Sequence, residues 1–473
     1  MISPVYLEGF VLVLGLVLLL WEAFSNSKDK RPIAWTGIAG LAACFIATFI
    51  LDAGAELPAF YSGDHAAVFY KRLALLSTIG VLVMAVEYRH ILSQNTEPAR
   101  APAGIGEYFT IPVFTCAGLM WMASAQDFIM LFVSLELVTV SFYVLVSFMR
   151  RNSGSLEAGT KYLILGALST GFLVYGITWI FGATGQTNLE SVARVAASED
   201  VNQTAILFGM LLVGIALGFK IAAAPFQLWV ADVYQGAPTP TTAFLSVGSK
   251  AAGFIVLMRV LDVFAGAPVL HQKVLTAAAI LAGATLVYGN FAAMPQNNLK
   301  RLLAYSSIGQ AGYLLVAVTC VDSTAVSFYL GAYLLMTLLA FLVLTVVAHA
   351  AGGEEISHFN GLSKRSPLLA FGMLVAMLSL AGLPFTAGFL GKFFVFAAAV
   401  NQERWVLVAL GAVSVACGFY YYLKVVRAMY WKGPENREVI SVAPLTRISV
   451  IAAAVLVILF GVFPQPLFAL LSR

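Results

Sequence analysis

The chain has 473 residues, of which 60% are hydrophobic and only 11% charged, against about 25% charged in an ordinary soluble domain. Its net charge is +4, and the basic residues are scattered rather than clustered. These figures exclude a soluble enzyme and a nucleic-acid-binding protein, and describe a polytopic membrane protein whose solvent is the lipid bilayer.

Taken in chain order, apolar runs long enough to cross a bilayer recur fourteen times, at about 5–24, 33–51, 73–86, 108–122, 128–148, 162–181, 206–224, 241–261, 274–293, 302–318, 326–347, 368–400, 405–421 and 448–460. No Lys or Arg precedes the first run, so it is expected to be a retained helix rather than a cleaved signal peptide. The fifth run carries Glu136. The seventh carries Lys220 and runs into Pro225, and the eighth carries Lys250. The twelfth is too long for one straight helix and contains Gly382-Leu383-Pro384, followed by Lys392. Proline lacks a backbone donor and clashes with the preceding turn, so helices seven and twelve are expected to break at Pro225 and Pro384.

Both breaks fall in the fourth helix of a five-helix set. An odd number of helices inverts a second copy relative to the first. The expected fold is therefore all-α, with two inverted five-helix repeats, helices four to eight and nine to thirteen. The divisions are three N-terminal helices (1–104), the first repeat (105–264), the second repeat (265–432) and a C-terminal helix (433–473). Of the 27 Lys and Arg residues, seventeen lie in or beside the odd-numbered loops, seven in the even loops and C-terminus, and three inside helices. The positive-inside rule makes the odd loops cytoplasmic, with both termini on the periplasmic side of a bacterial inner membrane.

The chemistry rests on the deep charges. An ionised side chain near the middle of a bilayer helix costs several kcal/mol and usually marks an ion or proton pathway. Glu136 lies about 13 Å into its helix, counted from Asp127 at 1.5 Å per residue. Lys220, Lys250 and Lys392 are similarly enclosed by apolar sequence. Lysine can give up its proton when desolvated, whereas arginine stays charged, and no arginine is expected deep in these runs. The alternative is that the four form structural ion pairs. Two of them stand beside helix breaks, where freed backbone groups must face a cavity or protein, which favours a pathway.

Tyr305, Ser306, Ser307 and Gln310 in the tenth run are candidates to link the charges, with Ser246 and Ser249 in the eighth. Each alone is ordinary helix-to-helix hydrogen bonding. His349, near the end of the eleventh run, is a further supporting candidate for the relay, set against the usual interfacial place of a helix-end histidine, and the cluster Phe419-Tyr420-Tyr421-Tyr422 reads as an interfacial aromatic belt. Cys44, Cys116, Cys320 and Cys417 are far apart, and there is no dinucleotide or phosphate-loop motif. No cofactor and no metal site is expected in this chain.

Residues 220–240 (KIAAAPFQLWVADVYQGAPTP), 300–307 (KRLLAYSS) and 382–389 (GLPFTAGF) resemble the antiporter-like membrane subunits of respiratory complex I, the NADH:quinone oxidoreductase, and the likeness spans the chain. The resemblance implies a proton-translocating subunit with Glu136 and Lys220 as a coupled pair, Lys250 as central relay and Lys392 as distal site. It implies that FMN, iron–sulfur clusters and the quinone site lie on other subunits. The partners would be neighbouring antiporter-like and small membrane subunits. Lys392, and an end at Arg473 directly after the fourteenth run, point to the branch with neither a glutamate at that position nor a lateral helix. Gln310 departs from relatives that carry histidine there. The alternatives are a subunit of a multi-subunit Na+/H+ antiporter, which the lack of a second deep carboxylate disfavours, and a passive scaffold, which the four deep charges disfavour.

Overall fold

The structure, a computed structural model, describes residues 3–27, 29–51, 58–96, 105–198, 200–433 and 438–471. Four of the basic residues used for orientation, Lys28, Arg100, Arg437 and Arg473, lie outside them. Side-chain caps set many helix starts. Asp64, Asp127, Asn152, Asn202, Asn298 and Asp322 each accept the N–H of a residue two or three positions on, satisfying donors that the first turn leaves free.

The helices are α1 (Val5–Phe24), α2 (Arg31–Ala47), α3 (His65–Gln94), α4 (Gly106–Ser124), α5 (Phe128–Val146), α6 (Ser153–Thr184), the short α7 (Leu189–Ala196), α8 (Gln203–Ile221), α9 (Val230–Gly236), α10 (Thr239–Phe244), α11 (Lys250–Asp262), α12 (Pro268–Ala293), α13 (Leu299–Thr319), α14 (Ser323–Ala351), α15 (Leu362–Arg365), α16 (Pro367–Ala381), α17 (Ala387–Asn401), α18 (Trp405–Trp431), α19 (Pro444–Val462) and α20 (Gln465–Leu471). Among the described residues, eleven helical stretches are long and apolar enough to cross a membrane. With α2, α4 and the broken pair α16–α17 they fill the fourteen expected positions.

Their burial sorts centre from rim. The most apolar stretches of α3, α10–α11, α13 and α14 are 83%, 83%, 94% and 83% buried, whereas those of α6 and α19 are 22% buried. The former make the centre and the latter the rim. Small residues allow close approach where helices pair. A methyl on Gly176 of α6 would stand 2.7 Å from the Gly209 carbonyl oxygen of α8.

Both expected breaks are present and share one construction. α8 ends at Ala222 in the left-handed region (φ 64°), with Ala223 N–H bonded to the Gly218 carbonyl at 2.8 Å. α16 ends at Gly382 (φ 90°), with Leu383 N–H bonded to the Leu378 carbonyl at 2.9 Å. This six-to-one bond closes the helix on itself, and the proline that follows prevents its continuation.

Two features depart from expectation. The eighth span contains a π-helical segment, Leu245–Ser249, immediately before Lys250. The third span starts at His65 rather than 73, because Asp64 caps it. That places Lys71 and Arg72 inside α3, with exposures of 0% and 3%, so an arginine is buried in a spanning helix after all. Arg72 donates to the Thr48 hydroxyl and carbonyl, both at 3.0 Å, and to the Leu470 carbonyl at 3.1 Å. It thereby caps the ends of α2 and α20.

Candidate proton-relay site

Lys220 is the penultimate residue of α8 and is 5% exposed. Its Nζ donates to Thr139 Oγ1 on α5 at 3.1 Å. Glu136 lies one turn earlier on α5, half-buried, and accepts the Thr170 hydroxyl of α6 at 2.7 Å. The structure thus brings the expected couple to one stretch of α5 through Thr139, with no direct ion pair between them among the described residues. The Lys220 stem lies against Gly253, one turn after Lys250.

Lys250 opens α11 just past the π segment and is 1% exposed. Its Nζ donates to both the carbonyl and the hydroxyl of Ser307 at 2.5 Å. The Ser307 hydroxyl also pairs with Tyr234 of α9 at 3.3 Å. The neighbouring Ser306 hydroxyl bonds Tyr422 of α18. Tyr422 accepts Gln310 Nε2 at 3.0 Å, and that amide also donates to the Leu380 carbonyl at 3.1 Å. Tyr329 donates to the Gln310 amide oxygen.

Lys392 donates to the same Leu380 carbonyl at 2.8 Å and to Ala381 at 3.0 Å, with its ammonium 4.8 Å from the centre of the Tyr313 ring. These carbonyls are the last of α16. The C-terminal end of a helix carries partial negative charge that suits a cation, so the break supplies a seat for Lys392 without a carboxylate. None of Lys220, Lys250 and Lys392 is in an ion pair among the described residues. A buried ammonium held only by neutral acceptors can lose its proton and leave no orphaned carboxylate.

Two hydrogen-bonded groups therefore lie in a line, Lys250 with Ser307 and, from the adjacent Ser306 of α13, Tyr422 with Gln310, and the second meets Lys392 at the Leu380 carbonyl to which Gln310 and Lys392 both donate. Pro225 and Pro384 shape the breaks and are themselves exposed. Tyr305 is half-buried and faces Arg301 and Tyr288, away from the line. His349 is exposed and stacks on His90 at 6.3 Å, also away from it. The aromatic cluster is not a belt. Tyr420 is 59% exposed, but Tyr421 and Tyr422 are buried, and Tyr421 donates to Asn290 at 3.0 Å. Tyr422, Tyr329, Tyr234 and Thr139 touch the candidate residues and were not singled out as such from the sequence. Ser306, Gln310 and Tyr313, at i, i+4 and i+7 on one face of α13, are the sequence signal that could have located Tyr422, Tyr329 and Lys392, which meet that face.

Two further buried charges also went unrecognised. Glu8 of α1 and Lys71 of α3 form an ion pair at 2.8 Å, each 0% exposed. Tyr61 donates to Glu8 at 3.0 Å, and Lys71 donates to the Tyr61 oxygen at 2.5 Å. Burial, and then the Glu8 charge, push the Tyr61 phenol well above its ordinary value, which keeps it a donor. Glu8 is thus a deep carboxylate that the sequence did not reveal, fully engaged by its own partners, and Glu22 near the end of α1 is buried too, paired with Lys30 at 2.9 Å. Lys300 at the start of α13 is 2% exposed and pairs with Glu354 at 3.0 Å.

A sequence model of the family described as NADH:quinone oxidoreductase/Mrp antiporter, transmembrane region, matches residues 125–418. The chain is 39% identical to NADH-quinone oxidoreductase subunit N of Desulforamulus reducens, covering 97% of this chain and 95% of that protein. It is 38% identical to the subunit N of Heliobacterium modesticaldum over 97% and 96%. Among solved structures, a chain of respiratory complex I from Thermus thermophilus superposes with a TM-score of 0.82 at 31% identity, over 98% of both chains. A chain of the Mrp complex from a Dietzia species shares the fold at 21% identity, with a TM-score of 0.84. Near-full-length relatedness to subunit N, set beside a likeness of fold alone to the Mrp complex, decides between them: the chain belongs to the NADH-quinone oxidoreductase subunit N family of antiporter-like membrane proteins.

Proposed function

We propose that this chain translocates protons as a membrane subunit of an NADH:quinone oxidoreductase, and that Glu136, Lys220, Lys250 and Lys392 carry them. The carrying observation is the polar line from Lys250 to Lys392 through the interior. Hydroxyls and an amide can pass or orient a proton there, while each lysine can hold one. Lys220 is tied through Thr139 to the stretch of α5 that carries Glu136, with its stem against Gly253 one turn after Lys250, and Lys392 stands at the far end of the line, on the carbonyl end of α16. The two breaks with one construction support the division into repeats at 105–264 and 265–432.

FMN, iron–sulfur clusters and quinone belong to other subunits in this reading, and this chain converts redox-driven change into proton movement. It lies in a bacterial inner membrane with both termini periplasmic, which the positive-inside bias supports. The test is made on the assembled complex in proteoliposomes. Lys392→Met and Glu136→Gln are expected to lower NADH-driven proton translocation by about tenfold, equivalent to about 1.4 kcal/mol on the limiting barrier. Wild-type pumping by assembled variants would remove those residues from the mechanism. Sodium-dependent proton exchange in the absence of NADH would favour the antiporter reading instead.

A further inference from the structure

Helices α3 and α14 lie side by side and run in the same direction along one seam. Tyr70 of α3 meets Ser327 of α14, hydroxyl to hydroxyl at 3.4 Å. Further along, a methyl on Gly80 would stand 3.0 Å from the Leu338 side chain. At the odd-loop end of the seam His90 faces His349, with ring centres 6.3 Å apart and planes inclined by 22°. The three pairs keep a nearly constant offset in numbering, so the register of two packed helices holds the two histidines opposite one another. No spacing in the sequence announces the pair, because its members lie on helices far apart in the chain.

This end of the seam is open to water. Both histidines are exposed, and His349 lines an open cavity of about 710 Å³ together with Tyr88, Ile91 and Gln94 of α3. Among the described residues, no hydrogen bond engages either imidazole. A neutral imidazole keeps a lone pair on one ring nitrogen, which suits zinc, copper or nickel, whereas magnesium and calcium take oxygen ligands. With Zn–N bonds of about 2.0–2.1 Å and a tetrahedral angle, two imidazoles on one ion have their ring centres about 5 Å apart. The observed 6.3 Å is about 1 Å longer, a gap that rotation of two exposed side chains can close. The charged groups near His90 are Arg89 and Glu87 on α3 and Arg31 on α2. Asp29 neutralises Arg31 at 2.7 Å and Glu87 offsets Arg89, so little net positive charge is left to repel a cation.

We propose that His90 and His349 are the two protein ligands of a divalent transition-metal site of the zinc class, with water completing the coordination. The bound ion clasps the end of α3 to the end of α14, and so joins the three N-terminal helices to the second repeat at the membrane surface. Neither histidine bonds any residue between Lys250 and Lys392, so the metal site and the proton relay stand or fall separately.

The test uses the assembled complex, washed with a chelator and titrated with radioactive Zn2+. His90→Ala, His349→Ala and the double variant are each expected to lose the same single ion. Its affinity should fall by about a hundredfold, because losing a ligand costs at least as much as losing a group that orients one. Equal, non-additive loss is the mark of one shared ion, since independent surface histidines would lose separately and their effects would add. Excess Mg2+ should leave the ion in place, and Cu2+ should displace it. Zn2+ should also raise the thermal midpoint of the wild-type complex and leave that of the variants unmoved. Unchanged Zn2+ binding in the three variants overturns the site, and additive losses overturn the sharing of one ion. Should an alanine variant fail to assemble, diethyl pyrocarbonate modification of the wild-type complex decides. Saturating Zn2+ is expected to protect His90 and His349 together, and modification of either at the metal-free rate overturns the site.

Discussion

At the residue scale, Gln310 and Tyr305, five positions apart on one helix, do different things. Gln310 joins Tyr422, Tyr329 and the carbonyl that Lys392 occupies, whereas Tyr305 points at Arg301 and Tyr288. Gln310→Leu keeps the volume but removes the link, and leaves Tyr422 and Tyr329 short of a partner in the dry core. We expect proton translocation to fall several-fold in reconstituted complex, while Tyr305→Phe leaves it near wild type. Equal losses in both would show that the line is not the path. Lys220, Lys250 and Lys392 were legible in the sequence because each is flanked on both sides by apolar residues within a run, where no loop can claim it. Lys71 was not, because a charge at the apparent edge of a run reads as a loop residue. Only the cap at Asp64, nine residues upstream of the expected start, moves it two turns inside.

At the element scale, the two breaks were legible because proline states its own consequence. What sequence did not reveal is how each helix closes. Ala222 holds a left-handed conformation that costs a non-glycine residue about 1–2 kcal/mol, whereas Gly382 holds the corresponding place without that cost. Ala222→Gly is therefore expected to stabilise the assembled complex modestly, seen as a raised thermal midpoint. Gly382→Ala should lower it, and more: the added methyl would stand 3.0 Å from the Lys392 side chain. That variant should also reduce proton translocation, because it displaces the ammonium from its carbonyls. A stable, fully pumping Gly382→Ala complex would argue against the seat described for Lys392. The π segment before Lys250 had no sequence signal, since a one-residue insertion into a helical turn depends on neighbouring packing rather than on local composition.

At the scale of the whole molecule, α1 is fastened to α3 by charge as well as by apolar contact. Glu8 and Lys71, with Tyr61 and the Ser124 hydroxyl 3.5 Å away, join α1, α3 and the end of α4. Removing one member of a buried ion pair typically costs about 3–5 kcal/mol, whereas replacing both with apolar groups is often neutral. Lys71→Met alone should thus sharply lower thermal stability of the complex, and Glu8→Leu combined with Lys71→Met should recover most of it. Proton translocation by the recovered double variant is expected at wild-type level, as this pair lies outside the polar line. Long-range pairs of this kind are illegible from one sequence: Glu8 and Lys71 are separated by a helix and a loop, and nothing in their local context names the partner.

The same pair bears on how the chain is made. While the polypeptide is being threaded into the bilayer, α1 emerges long before α3, and its carboxylate has no counter-charge. A lone acidic residue weakens the commitment of a helix to the lipid phase, by up to about 2.5–3.5 kcal/mol at mid-helix and less toward an end such as Glu8 occupies. The first helix should therefore settle fully only once Lys71 arrives. Nascent chains arrested after α2 are expected to leave Glu8 reachable by aqueous carboxyl reagents, and chains arrested after α3 to protect it. Biogenesis of this subunit is in that sense ordered by an ammonium delivered some sixty residues late.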